Sequence, residues 1–457
     1  MCELSRETID QILAKGRIFE VGGVVRDRML FDKPPAKDRD YLVTGIPFRE
    51  LSSILRRYGK VDLVGQSFGV IKFTQFSKGK QHTFDIALPR REYSTGTGHK
   101  EFEVAFDPEL SVQDDLHRRD FTVNAMAVAL DNNELIDPLG GQADLGHKCL
   151  RMVYPRSFED DPLRMLRAIQ FAARFEFLIE PSTFTALRRN SGLIATVSPE
   201  RIAEELGKLL ALSRRPSEGF RLMQATCLLK EILPELEATV GVDQPGGYHA
   251  YDVFEHTIRT VDACPPRLSL RLAALFHDIR KPQAKRITDT GATFYGHEVT
   301  GARTAQKVMR RLRFSNELID DVYILVHKHM FTTDVSDKGL RRLIRRVGVE
   351  RIFDLLDLRR ADVIAQGIGG TTEDVDELEK RINEQIAFQP PFGLSDLAVD
   401  GRILMELLNI KPGPKVGRVL DHLMEKVLDD PENNTQEILE SFAREFYHNN
   451  TDKESEV

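Results

Sequence analysis

Near residue 150 the hydrophobic period of this chain changes from about two to between three and four, and that change dictates the architecture. Before it, RIFEVGG (17–23), VDLVGQ (61–66), GVIKFTQF (69–76) and HTFDIALP (82–89) are short runs rich in β-branched and aromatic residues, separated by Gly-, Asp- and Pro-bearing turns. After it, DPLRMLRAIQFAARF (161–175), ERIAEELGKLLAL (200–212) and RTAQKVMRRLRF (303–314) carry apolar residues at helical spacing. SPERIAEE opens like a capped helix, with Ser198 as N-cap and Pro199 in the first helical position. The fold class expected is therefore α+β: a mixed α/β head followed by an all-helical remainder. VDQPGGY (242–248) and FQPPFGLSD (388–396) are the breaks between helical units, and the polar end TDKESEV is expected to fray.

Length and composition narrow the class. A chain of 457 residues suggests three or four units. With 41% hydrophobic and 30% charged residues it is a globular chain rather than a disordered one. No run of about 18 apolar residues occurs, so no membrane contact is expected. The N-terminus MCELSRETIDQ lacks a basic start and an apolar core, so no secretory signal is read. Cys2, Cys149, Cys227 and Cys264 are scattered, which fits reduced thiols in a cytoplasmic protein and argues against a cysteine zinc site. The net charge of −7 does not advertise a nucleic-acid binder, but local basic surface decides that question. Arg341, Arg342, Arg345 and Arg346 gather on one side of a helix, and Arg310, Arg311 and Arg313 form a second cluster. Each group suits RNA contact or pairing with acids elsewhere.

Two short motifs in the head carry chemistry. In VGGVVRD (21–27), Gly22 and Gly23 let a backbone approach a phosphate, a following helix would add its positive end, and Arg26 offers a forked donor to phosphate oxygens. In KDRD (37–40), Asp38 and Asp40 would share one face of a strand. Carboxylates so close repel unless a cation lies between them, and Mg²⁺ commonly bridges such a pair to substrate phosphates. Two metals would then activate an attacking hydroxyl and stabilise leaving pyrophosphate. Asp85, on the strand HTFDIALP, is a third carboxylate for the same site.

GGVVRD followed by KDRD resembles the polymerase beta-like head of the class II tRNA nucleotidyltransferase and bacterial poly(A) polymerase family. Later blocks agree in order: DLHRRDFTVNAMA (115–127), IDPLGGQADL (136–145), DDPLRMLRAIQFAARF (160–175) and SPERIAEEL (198–206). The resemblance implies that Arg119 contacts the nucleotide. It also implies that Asp161, Arg164 and Arg167, recurring every three residues along one side of the neck helix, select a C or an A without a template. Gln170 stands where the family usually carries a further arginine. RREYSTGTGHKEF (90–102) reads as a mobile loop between strands, of the kind that helps such enzymes switch from C to A.

The helical half carries EHT (255–257), FHD (276–278), GHE (296–298), HKH (327–329) and ADV (361–363). Histidine is the commonest transition-metal ligand, and an adjacent His-Asp pair can serve one or two ions. With HDIRKP among them, these groups resemble an HD phosphohydrolase domain, which implies a transition-metal site at His256, His277, Asp278 and His297, with His329 and Asp362 as further members. Arg280 replaces the glycine usual in HD-x-G-K and is expected to crowd the metal site.

The units expected are a nucleotidyltransferase head (1–150), a helical neck and body (151–240), an HD domain (241–370) and a helical tail (371–457). The activity implied is addition of CCA to the 3′ end of tRNA from CTP and ATP with Mg²⁺. Gly23, Arg26 and Arg119 would hold the triphosphate. The alternatives are a poly(A) polymerase or A-adding enzyme with the same head, an HD metal phosphohydrolase with a vestigial head, and a non-catalytic RNA-binding protein.

Overall fold

The computed structural model describes residues 3–32, 39–64, 70–77, 80–94, 102–289, 291–387 and 392–454. It comprises two compact units, Met1–Pro234 and Glu235–Val457.

The first unit opens with α1 (Arg6–Leu13), β1 (Arg17–Val21), α2 (Gly23–Leu30), β2 (Asp40–Thr44), α3 (Phe48–Leu55), β3 (Lys60–Val64), β4 (Val70–Ser77) and β5 (Lys80–Ala87). A ribbon of β6 (Arg90–Ser94) and β7 (Phe102–Phe106) follows, then α4 (Val112–His117), β8 (Ala127–Ala129) and β9 (Leu135–Ile136). Seven of these strands form one mixed sheet in the order β3-β4-β5-β2-β1-β8-β9. Strand alternation gives the sheet two different faces. Ile18, Tyr41, Val43, Phe73 and Ile86 point to one face and join Ile12 of α1 and Leu51 and Leu55 of α3 in a core. Phe19, Val21 and Leu42 point to the other, where Val112 and Leu116 of α4 cover them.

The segment expected to be a loop at 90–102 is partly sheet: β6 and β7 pair antiparallel from Arg90↔Phe106 to Ser94↔Phe102. The alternation of Phe102, Val104 and Phe106 supplies a period of two that the Gly- and Thr-rich tip obscures. Residues 95–101 lie outside the described residues.

The unit continues through α5 (Gly141–Gly146), β10 (Cys149–Leu150), α6 (Ser157–Asp160), α7 (Leu163–Phe175), β11 (Leu178–Ile179), α8 (Pro181–Asn190), α9 (Pro199–Leu212), α10 (Pro216–Ala225) and α11 (Leu228–Ile232), and α12 (Pro234–Glu237) follows. Ser198 does occupy the N-cap of α9 with Pro199 next to it, although its hydroxyl makes no capping bond.

The second unit contains α13 (Val253–Ala263), α14 (Leu268–Phe276), α15 (Lys281–Ala284), the hairpin β12 (Arg286–Thr288) and β13 (Gly291–Thr293), α16 (His297–Arg311), α17 (Asn316–Lys328), α18 (Asp337–Val347), α19 (Ile352–Ala365), α20 (Glu373–Ala387), α21 (Gly401–Leu408), α22 (Pro414–Asp429) and α23 (Gln436–Glu454). The remainder is thus mostly helical rather than wholly so, since β10–β11 and β12–β13 interrupt it. No helix among the described residues is long and apolar enough to cross a membrane.

Three of the α18 arginines are structural. Arg341 donates to the carbonyls of Leu428 and Asp429 at 2.7 and 2.8 Å, and Arg342 and Arg345 pair with Glu425 at 2.7 and 3.4 Å. They fasten α18 to α22, so of the two readings open in the sequence, pairing with acids holds for Arg342 and Arg345, while backbone carbonyls take up Arg341. Arg311 likewise pairs with Glu235 at 2.6 Å.

Candidate functional site

The head presents a row of charge across neighbouring strands. Asp40 on β2 is the register partner of Asp85 on β5 in a parallel pair. Lys72 on β4 faces Asp85 from the other side, and Asp62 on β3 faces Lys72. Opposed residues share a face, so all four project from the face that α4 covers further along. Asp40 is exposed and Asp85 half-buried. Asp38 lies outside the described residues, so its place beside Asp40 rests on the sequence alone.

A buried clamp holds the start of this strand. Arg39, between the two motif aspartates, turns to the opposite face and meets the Glu20 carboxylate at 2.5 Å. Arg28 of α2 donates to the same Glu20 oxygen at 2.9 Å. The Glu20 side chain is fully buried. One carboxylate therefore ties the helix after the glycine loop to the strand that carries Asp40. The sequence reading missed this clamp, and the available signal was an acid, Glu20, at an otherwise apolar position in RIFEV.

The glycine loop turns sharply at Gly22, whose φ is +72°, and α2 begins at Gly23. A side chain at Gly22 would meet Arg119 Nη1 at 2.6 Å. Arg119 thus lies against the loop backbone, held there by Asp115 at 3.0 Å. Burial pushes the Asp115 carboxyl up, but Arg119 and Arg118 together hold it below its usual range. The amides of Gly23 and Val24, at the start of α2, lack intrahelical acceptors by their position and favour an anion.

Arg26 is placed differently from the expectation of a free fork toward phosphate. It is buried, donates to Asp27 at 2.8 Å and to Asn124 at 2.7 Å, and lies 4.5 Å over the Phe175 ring. The adjacent acid and the aromatic face take the guanidinium inward, where it fastens α2 to α7.

The neck residues also separate. Asp161 is extended and precedes α7 instead of lying on it, because the following Pro162 disfavours helical backbone there. It pairs with Arg201 at 3.3 Å. Arg164 donates to the Arg118 carbonyl at 2.8 Å and to Ser157 at 3.0 Å. Arg167 pairs with Asp120 at 2.7 Å. Both arginines brace the RRD segment that contains Arg119. Gln170 faces the interior at 1% exposure, and its amide nitrogen has no partner among the described residues.

The second unit builds a separate cluster. His256 on α13, His277 and Asp278 at the end of α14, His297 at the start of α16, His329 at the end of α17 and Asp362 on α19 are all buried and converge. His256 Nε2 lies 3.0 Å from Asp362, His277 Nε2 3.1 Å from Asp278, and His297 Nε2 3.3 Å from Asp278. His277, His297 and His329 each engage through Nδ1 the carbonyl three residues earlier, all at 2.7 Å. A carbonyl can only accept, so Nδ1 is the donor and Nε2 is turned inward, the orientation metal-bound histidines use. His297 Nε2 and His329 Nε2 then face each other at 3.2 Å. His256 Nε2, His277 Nε2 and Asp278 Oδ2 lack aligned hydrogen bonds. The donor set fits a bound cation.

Charge reinforces this. Against the pull of burial, His277 and Lys281 hold the Asp278 carboxyl well below its usual range. Burial takes His329 down to about 3, so it is neutral. His249, which the sequence reading passed over, joins His256 and Asp362 within ligand distance. Arg280 does not line the adjoining cavity, and its φ of −106° needs no glycine, so the expected crowding does not occur.

Three segments match family descriptions: residues 18–151 the poly A polymerase head domain, residues 176–239 the probable RNA and SrmB-binding site of polymerase A, and residues 296–443 the putative tRNA nucleotidyltransferase domain 2. The chain is 38% identical over 320 residues to the multifunctional CCA protein of Methylobacillus flagellatus, covering 68% of this chain and 73% of that protein. It is 36% identical over 335 residues to the A-adding tRNA nucleotidyltransferase of Deinococcus radiodurans, covering 69% and 75%. Its fold is similar to that of the Bacillus stearothermophilus CCA-adding enzyme crystallised with CTP, with a TM-score of 0.70, 22% identity and 98% of each chain covered. The chain therefore belongs to the family of CCA-adding and A-adding tRNA nucleotidyltransferases built on a poly(A) polymerase head.

Proposed function

We propose that this chain extends the 3′ end of tRNA without a template, adding CCA from CTP and ATP and releasing pyrophosphate. The observation that carries the reading is the pairing of Asp40 with Asp85 on one open sheet face, in the same fold as a Gly22 loop backed by Arg119. Asp38, Asp40 and Asp85 would hold Mg²⁺, which supplies charge neutralisation and activation of the attacking hydroxyl. The Gly23 and Val24 amides and Arg119 receive the triphosphate. Gly22 leaves room for that arginine, and Arg26 keeps α2 seated. Asp161, Arg164 and Arg167 select the base, the two arginines also setting the position of the RRD segment. The terminal RNA hydroxyl attacks the α-phosphate, the new P–O bond replaces the bond to pyrophosphate, and the proton leaves to solvent. The division of labour proposed is a head at 1–150, a base-reading neck and body at 151–240, an HD domain at 241–370 and a helical tail beyond.

The histidine cluster supports a second activity, hydrolysis of phosphoesters such as 2′,3′-cyclic phosphates at an HD-type site. The opposed Nε2 atoms of His297 and His329 carry it. His256, His277, Asp278 and Asp362 would hold one transition-metal ion and Asp278, His297 and His329 another, with the ions supplying activation of water. The two activities are separated by paired variants. Alanine at Asp38 and Asp40 is expected to abolish incorporation of labelled nucleotide and spare phosphoester hydrolysis, and alanine at His277 and Asp278 to do the reverse. Incorporation that survives loss of both head aspartates contradicts the first reading.

A further inference from the structure

The strand order of the head sheet gives the carboxylate row two chemically different sides. Across neighbouring strands the row runs from the Gly22 loop at the end of β1, through Asp40 on β2 and Asp85 on β5, to Lys72 on β4 and Asp62 on β3. The loop, with Arg119 against it, is the side that receives the triphosphate. Displacement at a phosphorus clamped by metal ions is in line, with the attacking and leaving oxygens on opposite sides of the phosphorus. Pyrophosphate leaves on the β1 side, so the RNA hydroxyl enters over β5 and β4.

Lys72 stands on that entry side. Neighbouring strands lie about 4.8 Å apart, which places the Lys72 backbone about 10 Å from that of Asp40. Its register partners on the two sides are Asp85 and Asp62, and opposed residues share a face. Lys72 is exposed, and among the described residues it has no ion pair or hydrogen bond. Asp62 does not hold it, because Lys60 engages Asp62 at 2.8 Å. An exposed lysine alone is unremarkable on a protein surface. This one is the single cation among the four opposed residues, one strand beyond Asp85 and on the side away from the triphosphate loop. An RNA end that reaches Asp40 and Asp85 brings negative linkages of its own toward a face of carboxylates. Metal ions at the reacting phosphorus offset the carboxylates that hold them. A compact ammonium beside Asp85 offsets the next linkage of the RNA.

We propose that Lys72 binds the last phosphodiester of the RNA, the linkage on the 5′ side of its terminal nucleotide, and so positions the attacking hydroxyl at the Asp40–Asp85 site. This rests on the reading of Asp40 and Asp85 as the metal-binding pair of a nucleotidyltransferase.

The test uses the full chain with Mg²⁺, CTP and an RNA hairpin with the form of a tRNA acceptor stem that lacks CCA. Lys72→Ala is expected to raise KM for the hairpin by about tenfold, the scale of one charged hydrogen bond. KM for CTP stays as in the wild type, Lys72→Arg restores KM for the hairpin, and the midpoint of urea unfolding does not move. The salt dependence of hairpin binding should fall by about one phosphate contact. A second hairpin carries an uncharged methylphosphonate at the last linkage. It should weaken the wild type about as much as Lys72→Ala does, and the two changes together should cost no more than either alone. An unchanged KM for the hairpin, an equal rise in KM for CTP, or full additivity of the two changes overturns the contact. If the wild type incorporates nothing, the nucleotidyltransferase reading fails. Fluorescence anisotropy of the two labelled hairpins then decides Lys72: discrimination against the methylphosphonate by the wild type and not by Lys72→Ala supports the contact, and equal discrimination by both overturns it.

Discussion

Asp40 and Asp85 stand opposite each other on adjacent parallel strands, with Lys72 as the neighbour of Asp85 on its other side. Because Asp40 is exposed, its replacement should cost function and not fold. Asp40→Asn is expected to lower nucleotide incorporation by at least about a hundredfold, in line with loss of a metal-binding carboxylate. Its midpoint of urea unfolding should stay at the wild-type value. A large fall in that midpoint would mean that the residue is structural.

Glu20 gives the opposite expectation. Its fully buried carboxylate meets Arg39 and Arg28, so Glu20→Gln takes the counter-charge from Arg28 and leaves Arg39 with Glu3 alone. Breaking a buried pair costs about 3 kcal/mol, and the partial exposure of Arg28 keeps the cost toward that lower end. Urea unfolding of the variant checks this. We also expect a lower kcat for nucleotide addition, because the clamp sets the strand that presents Asp40.

The Asp120–Arg167 pair makes stability depend on pH. Burial pushes the Asp120 carboxyl up, but Arg167 and Asn124 outweigh it and hold it below its usual range. A carboxyl depressed in the folded state contributes stability above its unfolded value of about 4, and that contribution fades as pH falls through the lower folded value. Asp120→Asn should therefore be less stable than the wild type at pH 6. The gap should narrow steadily below about pH 4. Unfolding free energies measured across that range decide it, and a gap that does not change with pH contradicts the assignment.

Metal content tests the histidine cluster without relying on turnover. The chain purified in the presence of Mn²⁺ and then dialysed should retain transition metal by elemental analysis. His277→Ala combined with Asp278→Ala should lose it. Retention by the double variant would place the metal elsewhere.

Much of this was legible in the sequence. The period change near residue 150 located the head, and RIFEVGG, GVIKFTQF and HTFDIALP fell on β1, β4 and β5. The histidine and aspartate pairs were visible because few other roles place so many in apolar helices. Three things were hidden, each for a physical reason. Arg26 reads as a phosphate ligand until Phe171 and Phe175, nearly 150 residues away in sequence, are seen to take it inward. Asp161 reads as part of a helical stripe until Pro162 extends it. Arg342 and Arg345 leave RNA contact and pairing with acids both open until Glu425, from a distant helix, is seen to take them. For the arginines spacing gave a face and the long-range partner decided what that face does, whereas for Asp161 the neighbouring proline removed the residue from the helix.

The account depends most directly on what the purified chain adds to tRNA that lacks its 3′ CCA. Incubated with CTP alone it should add C residues and stop. With ATP alone it should add little, and with both it should complete CCA and stop. No incorporation under any condition, or long A tracts on unrelated RNA, would contradict it.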